Sequence, residues 1–502
     1  MSARPNFLVL CTDQMQSFSL GCNGSGVVKT PNIDAIARQG VTFRRAYCNN
    51  NVCMPSRATM ITGMTPRQHG LLTNGNCLPA RVPTITQALA DAGYRTHAAG
   101  KLHLQPFGGF AREEGAHSWE FGSAWNDGTI RNLPSPYYGF QTTDFVGGHV
   151  SYVFGNYRQW LDAKHPGTWG KYQPAAAYHS SGRAYRMDVP PELHYNHWIA
   201  DRSIDFLNGV RDGESFFLFC SFPDPHFPFA SCRPYSEMYD PRDVPLPTTW
   251  DQREDVCGFL QANRRTPRQA APPEQPELRE IISQTYGMIT HVDDNVGRVM
   301  AALEARGLDA NTIVVLLADH GEYLGSHGLL HKGPWPWEEL LRVPYVWKVP
   351  GGRPARRAVD DTVSLLDLVP TVADYAGIDP SHFDMRGLGG GERPGLPGRS
   401  LRPYLDGTAE IERAPAIVEY DEDWHAGSPL CRMRGIVDGD YKLIVWAGFD
   451  EGLLIDLAAD PAETRNLWND PAHAAKKCEL MRKLLERLAY SDRFDTPRIS
   501  GA

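Results

Sequence analysis

No stretch of the 502-residue sequence is apolar for long enough to cross a bilayer, and no block of like charges marks a tail. A membrane role is therefore not expected. The ten cysteines include no C-x-x-C pair, which excludes the common zinc-binding spacings. Spread over so long a chain, they do not form the dense framework of a small disulfide-stapled domain either, and reduced thiols are expected. There is no internal repeat and no low-complexity tract. A net charge of −9 leaves no basic footprint for nucleic acid, so an anionic ligand must be drawn by a local positive site. Met1 to Pro5 runs at once into the apolar Phe7 to Leu10 and then Asp13, which is too short and too soon charged for a secretory leader, so the expected location is cytoplasmic.

What is present is ordinary globular material, 42% hydrophobic and 22% charged, at a length that holds one large domain and a smaller one. Apolar runs alternate with helical spacing. Phe7 to Leu10, Tyr94 to Ala99, Ser215 to Ser221, Thr312 to Ala318 and Pro344 to Val349 read as strands of the kind buried on both faces of a parallel sheet. Between them Pro31 to Gln39, Thr84 to Ala92, Trp198 to Asn208, Leu278 to Ala305 and Thr362 to Tyr375 carry helical periodicity. Residues 104–200 are irregular and aromatic, and Pro241 to Pro276 reads as a surface excursion. The expected fold is α/β, a large central, mostly parallel sheet flanked by helices, over residues 1–410. Beyond the loop Gly387 to Gly398 come four short strands with a hairpin turn at Asp438-Gly439-Asp440, then an amphipathic helix from Pro471 to Ala489. They predict a smaller C-terminal α+β domain over 411–502.

Four apolar strands stop on polar residues: Asp13 and Gln14, Lys101 and His103, His226, and Asp319 and His320. Ligands of open parallel sheets bind at the carboxyl ends of strands, so one rim is expected to gather all seven. Asp13, Gln14, Asp319 and His320 offer two carboxylates, an amide oxygen and an imidazole, a plausible metal set. Oxygen ligands suit Ca²⁺ or Mg²⁺, and the imidazole shifts the balance toward Mn²⁺. A second feature is Cys53-Met54-Pro55-Ser56-Arg57. Pro fits the first position of a helix and Ser is a good cap, so the sulfur is expected beside outward-pointing N–H groups, with Arg57 one turn further on the same face. Such a place favours an anion.

Continued by Thr62-Gly63, that stretch resembles the C-x-P-S-R-x-x-x-x-T-G signature of the type I sulfatases, a family of the alkaline phosphatase superfamily. Thr30-Pro31-Asn32-Ile33-Asp34 and Asp460-Pro461-Ala462-Glu463 with Asn466-Leu467 are similar to two further elements of the family, and the resemblance spans about residues 6 to 467. It implies that a maturation enzyme oxidises Cys53 to formylglycine, whose hydrate is the nucleophile. It also implies one divalent ion, Ca²⁺ ahead of Mn²⁺ or Mg²⁺, on Asp13, Gln14, Asp319, His320 and residue 53. Arg57 and Lys101 are then expected to hold the diol, His226 with Lys332 to protonate the leaving group, and His103 to take the proton whose loss expels sulfate.

The substrate is expected to be a small sulfate monoester, since Gly100-Lys101-Leu102-His103 matches the G-K-x-H element of sulfatases. Gln14 and His320 resemble instead the phosphonate monoester hydrolases, which makes a phosphonate monoester or phosphodiester hydrolase the nearest alternative. A non-catalytic metal and anion binder with an intact Cys53 thiol is the alternative from another class. Asn74 is similar in spacing from the cysteine to a substrate-contacting Asn of phosphonate hydrolases and choline sulfatases, and Asn74-Gly75 reads equally as a turn. Trp335, Trp337 and Trp424 are expected to line a pocket for the organic group, with aryl, sugar and choline-like sulfates all compatible, and oligomeric state is left open.

Overall fold

The computed structural model describes residues 4–490 apart from 109–117, 174–182, 253–255, 265–272, 353–356, 384–395 and 423–430. Five parallel strands form the centre of a nine-stranded sheet: β1 (Asn6–Thr12), β2 (Arg95–Gly100), β3 (Thr142–Gly147), β4 (Phe216–Phe222) and β5 (Thr312–Ala318), in spatial order β5-β1-β4-β2-β3. Beside β5, β6 (Tyr345–Lys348) runs antiparallel, and the short strands Val41–Phe43 and Ala358–Val359 complete that edge. Phe154–Gly155 closes the other edge. Every residue of β1, β4 and β5 is buried. At about 1.5–3 kcal/mol for each fully buried large apolar side chain, a shift of register here costs more than any turn could recover.

Register is what makes the site. Thr12 pairs with Ala318 on one side and Phe222 on the other, and Gly100 pairs with Ser221, so β1, β5, β4 and β2 end level with one another. Backbone bonds continue the ladder past the strand ends, from Asp13 N to Asp224 O (3.3 Å), Asp319 N to Thr12 O (3.2 Å) and Lys101 N to Ser221 O (3.0 Å). The first polar residues after four strands therefore share one rim, as the sequence predicts.

Helices cover the sheet: α1 (Pro31–Gln39), α2 (Cys53–Thr62), α3 (Tyr195–Asn208) and α4 (Gln275–Ala305). Asp293 of α4 receives the N–H groups of Asn32 (3.1 Å) and Ile33 (2.8 Å), which open the first turn of α1 and have no partner within that helix. Gly297 makes this approach possible, because a Cβ there would stand 2.5 Å from the Asn32 side chain. The T-P-N-I-D element is thus a helix start docked on a long helix.

Three expectations need correction. The helix expected from Thr362 begins at Leu368, because Val363–Ser364 pairs as a strand with Ala46–Tyr47 and Ser364 then caps the turn Leu365–Asp367. The Pro-rich excursion contains a helix, Gly258–Arg264, whose Phe259 stacks on Trp446. Trp335 and Trp337 are buried packing residues rather than pocket walls: Trp337 stacks on His327 with centroids 4.3 Å apart, and Trp335 meets the edge of Tyr323. Trp424 lies outside the described residues. Among the described residues no helix is long and apolar enough to cross a membrane.

Toward the C-terminus, β7 (Ala416–Glu422), β8 (Cys431–Asp438), β9 (Tyr441–Trp446) and β10 (Leu453–Asp456) form an antiparallel sheet packed against α5 (Ala474–Tyr490) through Ile436, Leu443, Leu454, Leu480 and Leu484. Its edge strand β7 bonds to the segment that leads into Cys53: Asn49 Nδ2 donates to Ile417 O and Asn50 Nδ2 to Glu419 O, both at 2.7 Å, and Glu419 N donates to Asn49 O at 2.9 Å. A buried charge cluster forms the second join. Lys442 Nζ donates to Pro336 O (2.6 Å) and pairs with Glu338 (3.2 Å) and Glu463, and Glu463 also accepts from Glu338 N at 2.6 Å. The Glu of the D-P-A-E element is therefore structural. Lys442→Ala leaves the buried Glu463 carboxylate without its cation and Glu338 with only the more distant Arg342 at 3.6 Å, and urea unfolding is expected to show a loss of about 3–5 kcal/mol; a change below about 1 kcal/mol contradicts this role.

Candidate active site

Cys53 is the first residue of α2, preceded by an extended Val52. Pro55 and Ser56 therefore sit inside the first turn, not at its start. The capping role falls to Asn74, whose Oδ1 accepts from Met54 N at 3.1 Å, and Ser56 Oγ instead donates to Asp319 O at 2.5 Å. This puts Asn74 against the cysteine's helix turn. The Cys53 sulfur is buried among polar groups, 2.7 Å from Lys332 Nζ, 3.4 Å from His320 Nε2 and 3.9 Å from Asp13 Oδ1. Burial and Asp13 push the thiol up, and the positive charge gathered round it, that of Lys101 and Lys332 first, outweighs them, bringing it down to about 7.

Arg57, one turn on, is the hub. Nε donates to Asp319 Oδ2 (2.7 Å), Nη1 to Lys101 O (2.9 Å) and Ser221 Oγ (3.0 Å), and Nη2 lies 3.4 Å from Asp13 Oδ2. One guanidinium thus joins the ends of four strands. Lys101 Nζ pairs with Asp13 Oδ2 and lies 2.6 Å from His149 Nε2. Burial alone raises the Asp13 carboxyl, and Lys101 with its neighbouring cations outweighs burial and holds it well below the usual range.

The histidines divide by their hydrogen bonds. His320 Nδ1 faces its neighbour's carbonyl, Gly321 O, at 2.8 Å, so Nδ1 carries the hydrogen and the Nε2 lone pair is turned inward, 3.8 Å from Asp13 Oδ1 and 3.8 Å from Asp319 Oδ1. His226 likewise gives Nδ1–H to Phe227 O (2.6 Å), and its Nε2 accepts from Lys332 Nζ at 3.1 Å. His103 sits at φ 58° with its ring stacked on Phe107 and its buried Nδ1 without a partner. Burial, with Lys101 and His149, keeps His103 neutral far below the ordinary histidine range, and burial with His149 and Lys332 does the same for His226.

Asp13, Cys53, Asp319 and His320 present ligand atoms that all lie within 4.8 Å of one another. Gln14, held at φ 63°, gives its amide nitrogen to Glu322 and keeps a buried Oε1 with no partner. Two carboxylates, an inward imidazole lone pair and an unsatisfied amide oxygen fit a divalent cation.

Three residues of the site escaped the sequence reading. His149 stacks face to face on His226 at 3.5 Å and touches Lys101. It follows β3, and the strand-end rule finds it only once that strand is recognised within the irregular aromatic segment. Glu120 accepts from the N–H groups of His103, Leu104 and Gln105 and so folds the Lys101–His103 exit; nothing in its surroundings in the sequence marks it. Glu322 closes the exit Asp319-His320-Gly321-Glu322, and its place there gives it no role until Gln14 and the Leu324 and His331 N–H groups fold around it.

Residues 5–378 match the family model described as Sulfatase, and residues 325–490 match N-sulphoglucosamine sulphohydrolase, C-terminal. The chain belongs to the sulfatase family. Within the alkaline phosphatase superfamily this makes it a sulfuric ester hydrolase. An arylsulfatase of Clostridium perfringens is 27% identical over 505 residues, covering 96% of this sulfatase and 94% of the relative. The multifunctional alkaline phosphatase superfamily protein PehA of Trinickia caryophylli is 29% identical over 499 residues, covering 93% and 91%. Among solved structures, the phosphonate monoester hydrolase of Agrobacterium radiobacter superposes with a TM-score of 0.79 at 26% identity, covering 97% and 96%. In this sulfatase Arg57→Lys keeps the charge but reaches at most one of the two carboxylates. Steady-state kinetics on an aryl sulfate is expected to show kcat/KM down by about 10²–10³-fold, and a loss under about fivefold contradicts the hub role.

Proposed function

We propose that this chain hydrolyses sulfate monoesters to an alcohol or phenol and inorganic sulfate, with residue 53 converted from Cys to formylglycine and one divalent cation on Asp13, Gln14, Asp319 and His320. Ca²⁺ is the first candidate and Mn²⁺ or Mg²⁺ the next, since three of those four residues offer oxygen. The carrying observation is the position of the Cys53 sulfur, ringed by Lys332 Nζ, His320 Nε2 and Asp13 Oδ1 at 2.7, 3.4 and 3.9 Å. A bound cation supplies charge stabilisation to the sulfuryl oxygens and lowers the pKa of a hydroxyl set against it. A hydrated aldehyde at position 53 offers two hydroxyls on one carbon, one to attack sulfur and one whose deprotonation lets sulfate leave, which neither Ser nor Cys provides.

The chain's own groups do the rest. Arg57 and Lys101, fixed by their bonds before substrate arrives, hold positive charge where negative charge develops. Lys332 Nζ and His226 Nε2, 3.1 Å apart, share one hydrogen and form the donor pair for the leaving oxygen. His103, neutral with an unpartnered Nδ1, is the base for the second hydroxyl. Asn74 borders the substrate from the helix turn. We also take residues 1–410 as the catalytic unit and 411–502 as a smaller unit docked on it.

The second reading is a phosphonate monoester hydrolase using the same residues, favoured by Gln14 and His320 and by the likeness to the Agrobacterium radiobacter enzyme. Conversion requires a maturation enzyme as partner. In protein co-expressed with one, mass spectrometry of the tryptic peptide Ala46 to Arg57 is expected to find it lighter by about one water, and a wholly unmodified peptide sinks the proposal. With one leaving group on a sulfate and a phosphonate monoester, the larger kcat/KM is expected for sulfate; the reverse order selects the second reading.

A further inference from the structure

Two buried clusters outside the Cys53 ligand set contain groups that the chemistry above does not use. The first, His194, Asp224 and His291, brings potential ligand atoms within 4.8 Å of one another. His194 Nδ1 accepts from Asn196 N at 3.2 Å, so its Nε2 carries the ring hydrogen and the cluster presents a donor there instead of a lone pair. It is not a cation site. The second is the carboxylate of Glu322, which makes three bonds in a buried position. Oε1 accepts from Leu324 N (3.1 Å) and from His331 N, and Oε2 accepts from Gln14 Nε2.

An amide side chain presents oxygen at one end and hydrogens at the other, and only the oxygen end binds a cation. Which end of Gln14 faces inward is decided by what holds the other. In its ionised form Glu322 Oε2 accepts and does not donate, so it takes the Gln14 nitrogen and leaves Oε1 free. Gln14 Oε1 is then an open acceptor on the residue whose backbone N donates to Asp319 Oδ1 at 3.0 Å. Gln14 cannot relax away, since its backbone is in the left-handed region at φ 63° and its neighbour Asp13 is bonded to Asp224 O. The same carboxylate ties down His331, the residue before Lys332, so one group serves both the cation side and the lysine side of the site.

We infer that Glu322 is a positioning residue that makes Gln14 a cation ligand, by fixing the orientation of its amide. The inference rests on the cation reading proposed above. Its sharpest consequence concerns Glu322→Gln. The oxygen of the new amide must stay on the Leu324 and His331 N–H groups, so its NH₂ faces position 14. Gln14 then turns to offer Oε1 to that NH₂ and presents hydrogens to the cation. With Glu at position 14 both ends are oxygen, so the cation meets oxygen whichever way the side chain turns, and E322Q there also supplies the hydrogen that two facing carboxylates lack.

The test is a double-mutant cycle read as cation affinity, by calorimetric titration of Mn²⁺ and Ca²⁺ into EDTA-stripped protein, with the metal-free melting temperature confirming the fold. E322Q is expected to weaken binding by about 10–100-fold in the natural Gln14 background. In the Gln14→Glu background the same change is expected to cost less than about threefold. An equal loss in both backgrounds assigns Glu322 a merely structural role and overturns the inference, as does an E322Q affinity within about threefold of the natural protein. If the natural protein binds neither ion, the cation reading itself fails, a separate result. Should E322Q not fold, Glu322→Asp, which keeps the charge and withdraws the acceptor by one methylene, takes its place with the same contrast expected.

Discussion

Two carboxylates, Asp13 and Asp319, end adjacent parallel strands, both fully buried, and the charge they carry dictates what surrounds them. With ligand atoms within 4.8 Å, two such charges repel by about 3 kcal/mol or more at an effective dielectric near 20. Burial adds a desolvation cost to each. Only closely held positive charge makes the pair tenable. Arg57 reaches both, Lys101 takes the same Asp13 oxygen as Arg57, and the inward lone pair of His320 and the open oxygen of Gln14 face a gap that suits the proposed divalent cation. The anion-binding character of the site follows from the same arrangement, because cations gathered for two aspartates also face whatever enters beside residue 53.

Such an arrangement needs a rigid support, and the fold supplies it from two directions. The sheet fixes strand ends in register to within one residue, so Asp13, Lys101, Asp319 and the Asp224–His226 exit cannot drift apart without disrupting a buried ladder. From the other side, Asn49 and Asn50 tie the approach to Cys53 onto β7, and Asn51 Nδ2 donates to Gly333 O, next to Lys332. Three consecutive asparagines thus connect the proposed nucleophile, its lysine partner and the C-terminal sheet. The buried Lys442 cluster joins that sheet to the Trp335–Glu338 turn a few residues beyond Lys332. The C-terminal region helps to hold the geometry although none of the proposed catalytic groups comes from it.

Much of this was legible in the sequence because its signals are local. An apolar run that stops on Asp or Lys marks both a buried strand and the residue it delivers, and the parallel-sheet rule then gathers Asp13, Lys101, His226 and Asp319 without any knowledge of contacts. The Cys53 helix was legible by its resemblance, though its boundary was set by Asn74, a residue twenty positions away, and not by its own Pro and Ser. What could not be read depends on distant packing. Glu120 and Glu322 acquire their roles only when three N–H groups, or two N–H groups and an amide, are folded around them. Trp335 and Trp337 misled for the converse reason: an aromatic residue in a Gly- and Pro-rich loop suggests a pocket wall, but here the apolar area of the rings was more stable covered than exposed.

The central claim is that a cation and an oxygen-bearing residue 53 meet where the strands end. Anomalous diffraction from crystals of co-expressed, matured protein soaked in Mn²⁺ tests it most directly. The account predicts one strong peak within bonding distance of Asp13, Asp319, the Gln14 oxygen and His320 Nε2, with density for oxygen in place of sulfur at residue 53. A peak elsewhere, or an intact sulfur with no ion among the two aspartates, contradicts it.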